Sequence, residues 1–349
     1  MTCDITGRSL AGMSDAAPQH NRDDPANRHA ASTRCEALES GGSVPGLSRA
    51  AFTLQRFGTR AVESPLPVVI AVPHAGRAYP PDTFSTLRHG EAAAHRLEDR
   101  FIDMVGRSAA AACGASLLVA HMPRALIDLN RDVGDIDSGM FAGPPPARQG
   151  DVPGMPRQQP RAGRGLGLFP RRLSGMGELW RDPLTAEEAE RRIACVHRPY
   201  HAALQAELVR LRDMHGHAIL IDLHSMPSLR GQGDEGGASH VVGDRFGASC
   251  ASALSAAAMD LLTRAYAQPA YNRPYAGGYV LDRHGRPRRD IHALQLEVDR
   301  ALYLTGAGAP CADGIAAQAR IVTDLAHLLS VVLAGRGAGS SWGLADAAE

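Results

Sequence analysis

Short apolar runs that alternate with helix-period segments place this chain in the α/β class, as a sandwich with a largely parallel or mixed sheet. Three observations lead there. Runs such as VVIAV (68–72) and ILIDL (219–223) are apolar at nearly every position, the pattern of strands covered on both faces. The stretches between them carry apolar residues at a 3.6 period. Polar clusters then recur where apolar runs stop, and in open α/β sheets ligands bind at the carboxyl ends of strands.

Taken in order, residues 1–50 are rich in Ala, Ser, Asn, Asp, Arg and Gly and lack apolar periodicity, which predicts a disordered extension. Residues 66–72 read as the first buried strand, followed by a turn-rich stretch over 73–82. Residues 91–112 read as one amphipathic helix with Leu97, Phe101, Met104 and Val105 on a shared face. Strands are expected over 116–120 and 125–129. The Pro-, Gly-, Arg- and Gln-dense stretch 143–164 reads as a long loop, a class that is often functional or mobile. Thr185, with Glu187 and Glu188 behind it, opens the strongest helix candidate, 185–214. Strands over 217–223 and 240–243, a helix over 248–266, a strand over 291–298 and a helix over 314–333 complete the series. The expected organisation is one domain over 51–335 and a flexible tail over 336–349.

Composition narrows the function classes. The 349 residues carry 37 basic and 37 acidic side chains, a formal net charge of zero, so no basic field draws the chain to nucleic acid. Lysine is absent, which excludes lysine nucleophiles and Schiff-base chemistry; with the abundant Ala and Gly, it reflects base composition rather than binding. Six scattered cysteines form no CxxC pair and suit a reducing compartment. No apolar run approaches the ~20 residues of a membrane span, and the first fifty residues lack a signal peptide's apolar core. A cytoplasmic enzyme with a small-molecule substrate, and neither nucleic-acid nor membrane partner, is the expectation; oligomeric state is not legible.

Four clusters carry chemistry: His74 in VVIAVPHAG, Asn130 and Arg131 in RALIDLNRD, His224 in ILIDLHSMP and Glu297 in HALQLEVDR. Zinc hydrolases commonly use two His and one carboxylate and leave a position for water. A further carboxylate takes the water's proton and passes it to the leaving nitrogen. His74, His224, a carboxylate from Glu98-Asp99, and Glu297 match that inventory. Each also has a plainer reading. A lone His after a strand is more often a hydrogen-bonded structural residue, and Glu98 and Asp99 suit a solvated helix face. Glu297 is harder to dismiss, because a carboxylate among Leu294, Leu296 and Val298 is costly to bury without a partner or a role. Asp222, two residues before His224, either orients that histidine or caps a turn. A serine hydrolase on Ser225 is disfavoured, since HSMP lacks the glycines of a nucleophile elbow.

The segments PHAGRAYP, LEDRFIDMV, PRALIDLNRDVGDID, GLGLFPR, RPYHAALQAEL, IDLHSMPS, YNRPYAGGYV and HALQLEVDRALYL run in order from about 67 to 304. Together they resemble the N-formylglutamate amidohydrolase family. The resemblance implies a three-layer α/β/α sandwich with a mixed, mostly parallel sheet, similar to zinc carboxypeptidases and aspartoacylases. It implies hydrolysis of an N-acyl amino acid by one zinc ion per chain, or another divalent metal. His74 and His224 match the family's metal histidines, and the acidic ligand falls at Asp99 or Glu98, with Asp99 favoured. Glu297 matches the general base. Arg124, Asn130 and Arg131 resemble the group that holds the substrate carboxylate, which suits the bidentate fork of an Arg beside an amide donor. The plainer reading pairs Arg131 with Asp132, Asp135 or Asp137. Asn272, Arg273 and Tyr275, beside Gly277 and Gly278, are candidates for a second clamp, or form an ordinary turn. The chain departs from the family's pattern at Ala75, where relatives carry Ser. Other readings are an amidase or peptidase for a different N-acyl amino acid, and a non-catalytic metabolite-binding descendant.

Overall fold

A sheet of eight strands runs through the middle of the computed structural model, which describes residues 34–58, 65–146, 163, 165–229, 237–265 and 267–339. The strands are β1 (Arg34–Gly41), β2 (Phe52–Gly58), β3 (Val68–Val72), β4 (Ser116–Ala120), β7 (Ala218–Met226), β8 (His240–Gly243), β9 (Pro269–Tyr271) and β10 (Ile291–Asp299). The short strands β5 (Arg172–Leu173) and β6 (Gly177–Glu178) pair separately. In space the order is β1-β2-β4-β3-β7-β10-β8-β9, with β4, β3, β7 and β10 parallel to one another and β1, β2 and β8 set antiparallel to their inner neighbours.

The helices are α1 (Thr83–Thr86), α2 (Gly90–Leu97), α3 (Ile102–Cys113), α4 (Ala186–Arg192), α5 (Arg198–His215), α6 (Ser252–Arg264), α7 (Tyr279–His284) and α8 (Ala312–Gly339). Strand side chains alternate between faces, so one strand feeds two cores. Val68, Ile70 and Val72 pack with α3, α6 and α8, whereas Val69 and Ala71 join Leu204, Leu208 and Leu211 of α5. The result is the expected three-layer α/β/α sandwich.

The chain leaves β3 through α3 to reach β4 on one side, then returns through α5 to β7 on the other. Those two helices cover opposite faces, which opens a crevice at the carboxyl ends of β3 and β7. Gly76 lies where these exits crowd: a Cβ there would come within 2.1 Å of the Met122 carbonyl oxygen.

Several local expectations change. Helix 91–112 is two helices, because Glu98 is extended (ψ 141) and Phe101 is left-handed (φ 60). The amphipathic period carries through the break, but tertiary contacts override it: the Asp99 amide donates to the His74 carbonyl at 3.0 Å. Residues 125–129 form turns and no strand, their amides bonding to Pro123 and Leu168 rather than to a neighbouring strand. The extension was expected to reach residue 50, yet β1 pairs with β2, and Val44 and Ala51 are buried. Polar composition hid an edge strand that needs only one covered face. Residues 1–33, 340–349 and most of loop 143–164 lie outside the described residues. α8 contains a span, Ala312–Gly335, apolar enough by length and composition to cross a membrane. Its Val322, Leu325, Ala326 and Leu329 are buried in the core, so here it serves as a covering helix.

Candidate metal centre and active site

β7 and β10 lie side by side in parallel register, with His224 opposite Glu297 and Asp222 opposite Gln295. On this face the strands begin apolar, at Ala218, Leu220, Ile291 and Ala293, and end polar. The four polar side chains therefore come together at the carboxyl ends without any loop being needed to place them. His74 follows β3 two residues after its end and enters the same space.

His74, Asp99 and His224, all buried, each offer one ligand atom within 4.8 Å of the others. Asp99 Oδ2 is 3.0 Å from His224 Nδ1 and 3.5 Å from His74 Nδ1. Behind them, His74 Nε2 donates to Asp128 Oδ1 at 2.7 Å and His224 Nε2 to Asp222 Oδ2 at 2.9 Å. Each imidazole is thus held from the rear by a carboxylate, which fixes its ring orientation and leaves the other nitrogen facing forward. With its proton on Nε2, His74 presents a bare Nδ1, which is buried and has no hydrogen-bond partner. An orphaned nitrogen, a second nitrogen and a carboxylate oxygen facing one point are a donor set that fits a divalent metal ion.

The electrostatics agree. Burial alone would raise the Asp99 pKa, but the hydrogen bond from His224, with its imidazole close by, holds it well below the usual carboxylate range. Burial would lower that of His224, yet Asp222 and Asp99 raise it well above the ordinary value. Where a metal would sit, the protein keeps a proton on His224 between two carboxylates. Glu297 takes the opposite course: burial, with Asp99 adding to it against the pull of His224, raises it to about 7.

The cavity in front of these groups is about 410 Å³, and Arg124, Asn130, Arg131 and Tyr275 line it together with the His pair, Asp99 and Glu297. Arg124 Nε donates to Asp128 Oδ2 at 2.9 Å. Arg131 donates to the Leu166 and Asn130 carbonyls and lies 3.9 Å from Asp128 and 4.0 Å from Asp135. Asn130 Oδ1 accepts from the Val280 amide at 2.9 Å, and its Nδ2 donates to Gln295 Oε1 at 3.3 Å. Gln295 Nε2 in turn donates to Glu297 Oε1 at 2.9 Å, which links the amide of the clamp to the carboxylate opposite.

Three sequence candidates are placed elsewhere. Glu98 accepts from Tyr79 Oη and Arg100, outside the His–Asp–His cluster. Asn272 is buried with its amide closed on Asp244, at 2.8 and 3.0 Å, and Arg273 is exposed; neither lines the cavity. The Asn-Arg-Pro-Tyr loop thus contributes Pro274 and Tyr275 to the cavity but neither of the two polar residues before them, because Asn272 adopts a left-handed φ of 57 and locks the turn.

Sequence reading missed Asp128 behind His74 and, on the cavity lining, Gln295, Arg96 and Arg300. Gln295 was within reach, lying two residues before Glu297 and so on its face of β10. Arg300 lies just past that strand's end, and its Nη2 donates to Asp99 Oδ1 at 3.1 Å, which leaves Oδ2 to the histidines. Asp128 gave no signal, because its turn was read as a strand.

The sequence model of the family described as N-formylglutamate amidohydrolase matches residues 66–304. The N-formylglutamate deformylase of Pseudomonas aeruginosa is 30% identical over 244 residues, 68% of this chain and 82% of that protein. That of Pseudomonas putida is 31% identical over 195 residues, 55% of this chain, so the match spans just under two thirds, 65%, of that relative's length. The crystal structure of N-formylglutamate amidohydrolase from Ralstonia eutropha JMP134 superposes with a TM-score of 0.69 at 30% identity, covering 82% of this chain and 99% of that one. With a match across the whole span that builds the crevice, this chain belongs to the N-formylglutamate amidohydrolase family.

Proposed function

We propose that this protein is a cytoplasmic, zinc-dependent amidohydrolase that cleaves N-formyl-L-glutamate to formate and L-glutamate. The observation that carries the reading is the convergence of His74 Nδ1, His224 Nδ1 and Asp99 Oδ2 beside a buried Glu297, in a cavity lined by arginines. Family membership supports hydrolysis of a carbon–nitrogen bond other than a peptide bond. His74, Asp99 and His224 hold the metal, which when bound lowers the pKa of water and polarises a carbonyl oxygen.

The chain's own groups do the rest. Glu297 takes a proton from the attacking water as the formyl carbon gains its new oxygen. It then delivers that proton to the nitrogen as the carbon–nitrogen bond breaks. A carboxylate raised to about 7 suits both directions of transfer near neutral pH. Arg124, Asn130 and Arg131 grip the carboxylate next to the scissile amide, and Tyr275 lines the same cavity. Asp128 and Asp222 keep the two imidazoles aimed.

Formate release from N-formyl-L-glutamate by purified protein, with and without chelator and added zinc, tests this. Chelator-sensitive release restored by zinc is expected. Turnover confined to non-acidic N-acyl amino acids would overturn the substrate, and tight binding without turnover would overturn catalysis. Glu297→Gln is expected to keep zinc while turnover falls by roughly 10²–10⁴-fold, the usual contribution of a general base. A fully active variant would show that Glu297 is not the base.

A further inference from the structure

Three buried histidines play no part in that chemistry. His197 ends a π-helical turn, Ile193–His197, between α4 and α5; His201 follows one turn later, and His284 ends α7. None lines the cavity. A π-turn carries one residue more than an α-turn and commonly marks a functional position. Here His197 and His201 both face the segment that carries the carboxylate clamp.

His197 Nε2 lies 2.9 Å from the Arg131 carbonyl oxygen, and His201 Nε2 lies 3.0 Å from that of Leu129. A carbonyl only accepts, so both Nε2 atoms carry the proton. His201 Nδ1 must then accept, and it does so from His284 Nε2 at 3.0 Å. His284 Nδ1 is left bare and has no partner. With neutral rings, the proton order runs from His284 through His201 to the Leu129 carbonyl. Burial agrees, holding His197 at about 4 and His284 at about 3.

The two gripped carbonyls bracket Asn130. On its far side, Asn130 accepts from the Tyr279 and Val280 amides at the start of α7. The peptide is thus clamped from α5 and from α7, and the side chains of Asn130 and Arg131 project into the cavity from it.

We propose that His197 and His201 are positioning residues for the carboxylate clamp: they fix the Leu129 and Arg131 carbonyls so that Asn130 and Arg131 meet the substrate's α-carboxylate. They act on that carboxylate and not on the reacting bond. The inference rests on the proposed amidohydrolase reading.

The test compares zinc-loaded wild type, His201→Phe and His201→Gln on two substrates, N-formyl-L-glutamate and its α-carboxamide, which carries the same scissile bond without the charge. His201→Phe is expected to raise KM for the acid at least about tenfold with kcat little changed, as removal of uniform binding does. For the carboxamide, kcat/KM should change less than about threefold. His201→Gln, which keeps an N–H at the ε position, should recover most of the loss, and zinc content should be unchanged in all three. Equal losses on both substrates, or a loss in kcat alone, would overturn the proposal, since a general structural defect does not read the substrate's charge. If wild type releases formate from neither substrate, the amidohydrolase reading fails by itself. Calorimetric binding of L-glutamate against its α-carboxamide then decides the inference: a preference for the acid that His201→Phe erases and His201→Gln restores supports it, and a preference unchanged by His201→Phe refutes it.

Discussion

His224 and His284 are equally dry, at 2% and 0% exposure, yet their proton affinities move in opposite directions. His224 lies between Asp222 and Asp99, and their charges outweigh the cost of burying a cation. His284 and its neighbours His197 and His201 face carbonyl oxygens and one another, so burial prevails and they stay neutral. Burial by itself drives a histidine toward the neutral form, and only adjacent carboxylates reverse that direction. The same segment serves both groups: Asp128 turns its carboxylate to His74, while Leu129 and Arg131 turn their carbonyls to His201 and His197. On the proposed reading, one group exchanges a proton for a metal and the other holds a peptide still.

Removing one member from each group breaks the comparison most sharply. His224→Ala is expected to lose bound metal and to lower formate release by roughly 10³-fold or more, the several kcal/mol that a metal supplies. His284→Asn should retain both metal and turnover. Metal analysis alongside formate release checks the pair, and equal losses in both variants would erase the distinction between them.

A smaller effect is expected one step behind the metal. Asp222→Asn leaves His224 in place but takes away the charge that makes it basic, so metal affinity should fall roughly 10–100-fold. Competition with a chelator of known affinity measures it. Unchanged affinity would mean that Asp222 only fills space beneath the histidine.

The smallest effect is on stability without metal, and its sign differs between the groups. His197 and His284 have folded pKa values below the ordinary 6.5, so the unfolded chain binds more protons below that pH. Their contribution is present above 6.5 and is lost as pH falls toward about 4 and 3. His224, raised above 6.5, contributes below that value and loses its contribution as pH rises through its folded pKa. Between pH 7 and 5, the metal-free wild type should therefore lose more thermal stability than His284→Asn, by on the order of 2 °C per kcal/mol. Parallel melting curves in the two proteins would show that His284 is not titrating as its surroundings require.

Much of this was legible in the chain. β3, β7 and β10 announced themselves as apolar runs, and the Thr185 cap with Glu187 and Glu188 marked the start of α4, where the Thr185 side chain accepts from the Glu188 amide. His74, His224 and Glu297 were found because each interrupts or ends an apolar strand. These are local signals: side-chain periodicity and capping depend on residues a few positions apart. The edge strand β1 escaped because an edge needs little apolar sequence.

Sequence by itself therefore determined the inner strands β3, β4, β7, β8 and β10, the long helices, the α/β class and the histidines and carboxylates at the centre of the site. Only the tertiary structure set Glu98 and Asp99 apart, neighbours that face Tyr79 and the histidines respectively. It alone turned Asn272 away to Asp244, brought Tyr275 to the cavity wall, and set Arg300 on Asp99 across two hundred residues. Those outcomes depend on strand order and on one left-handed residue, Phe101, in the middle of a helical pattern. Where a side chain ends up is settled by what the rest of the fold packs against it, and no local period encodes that.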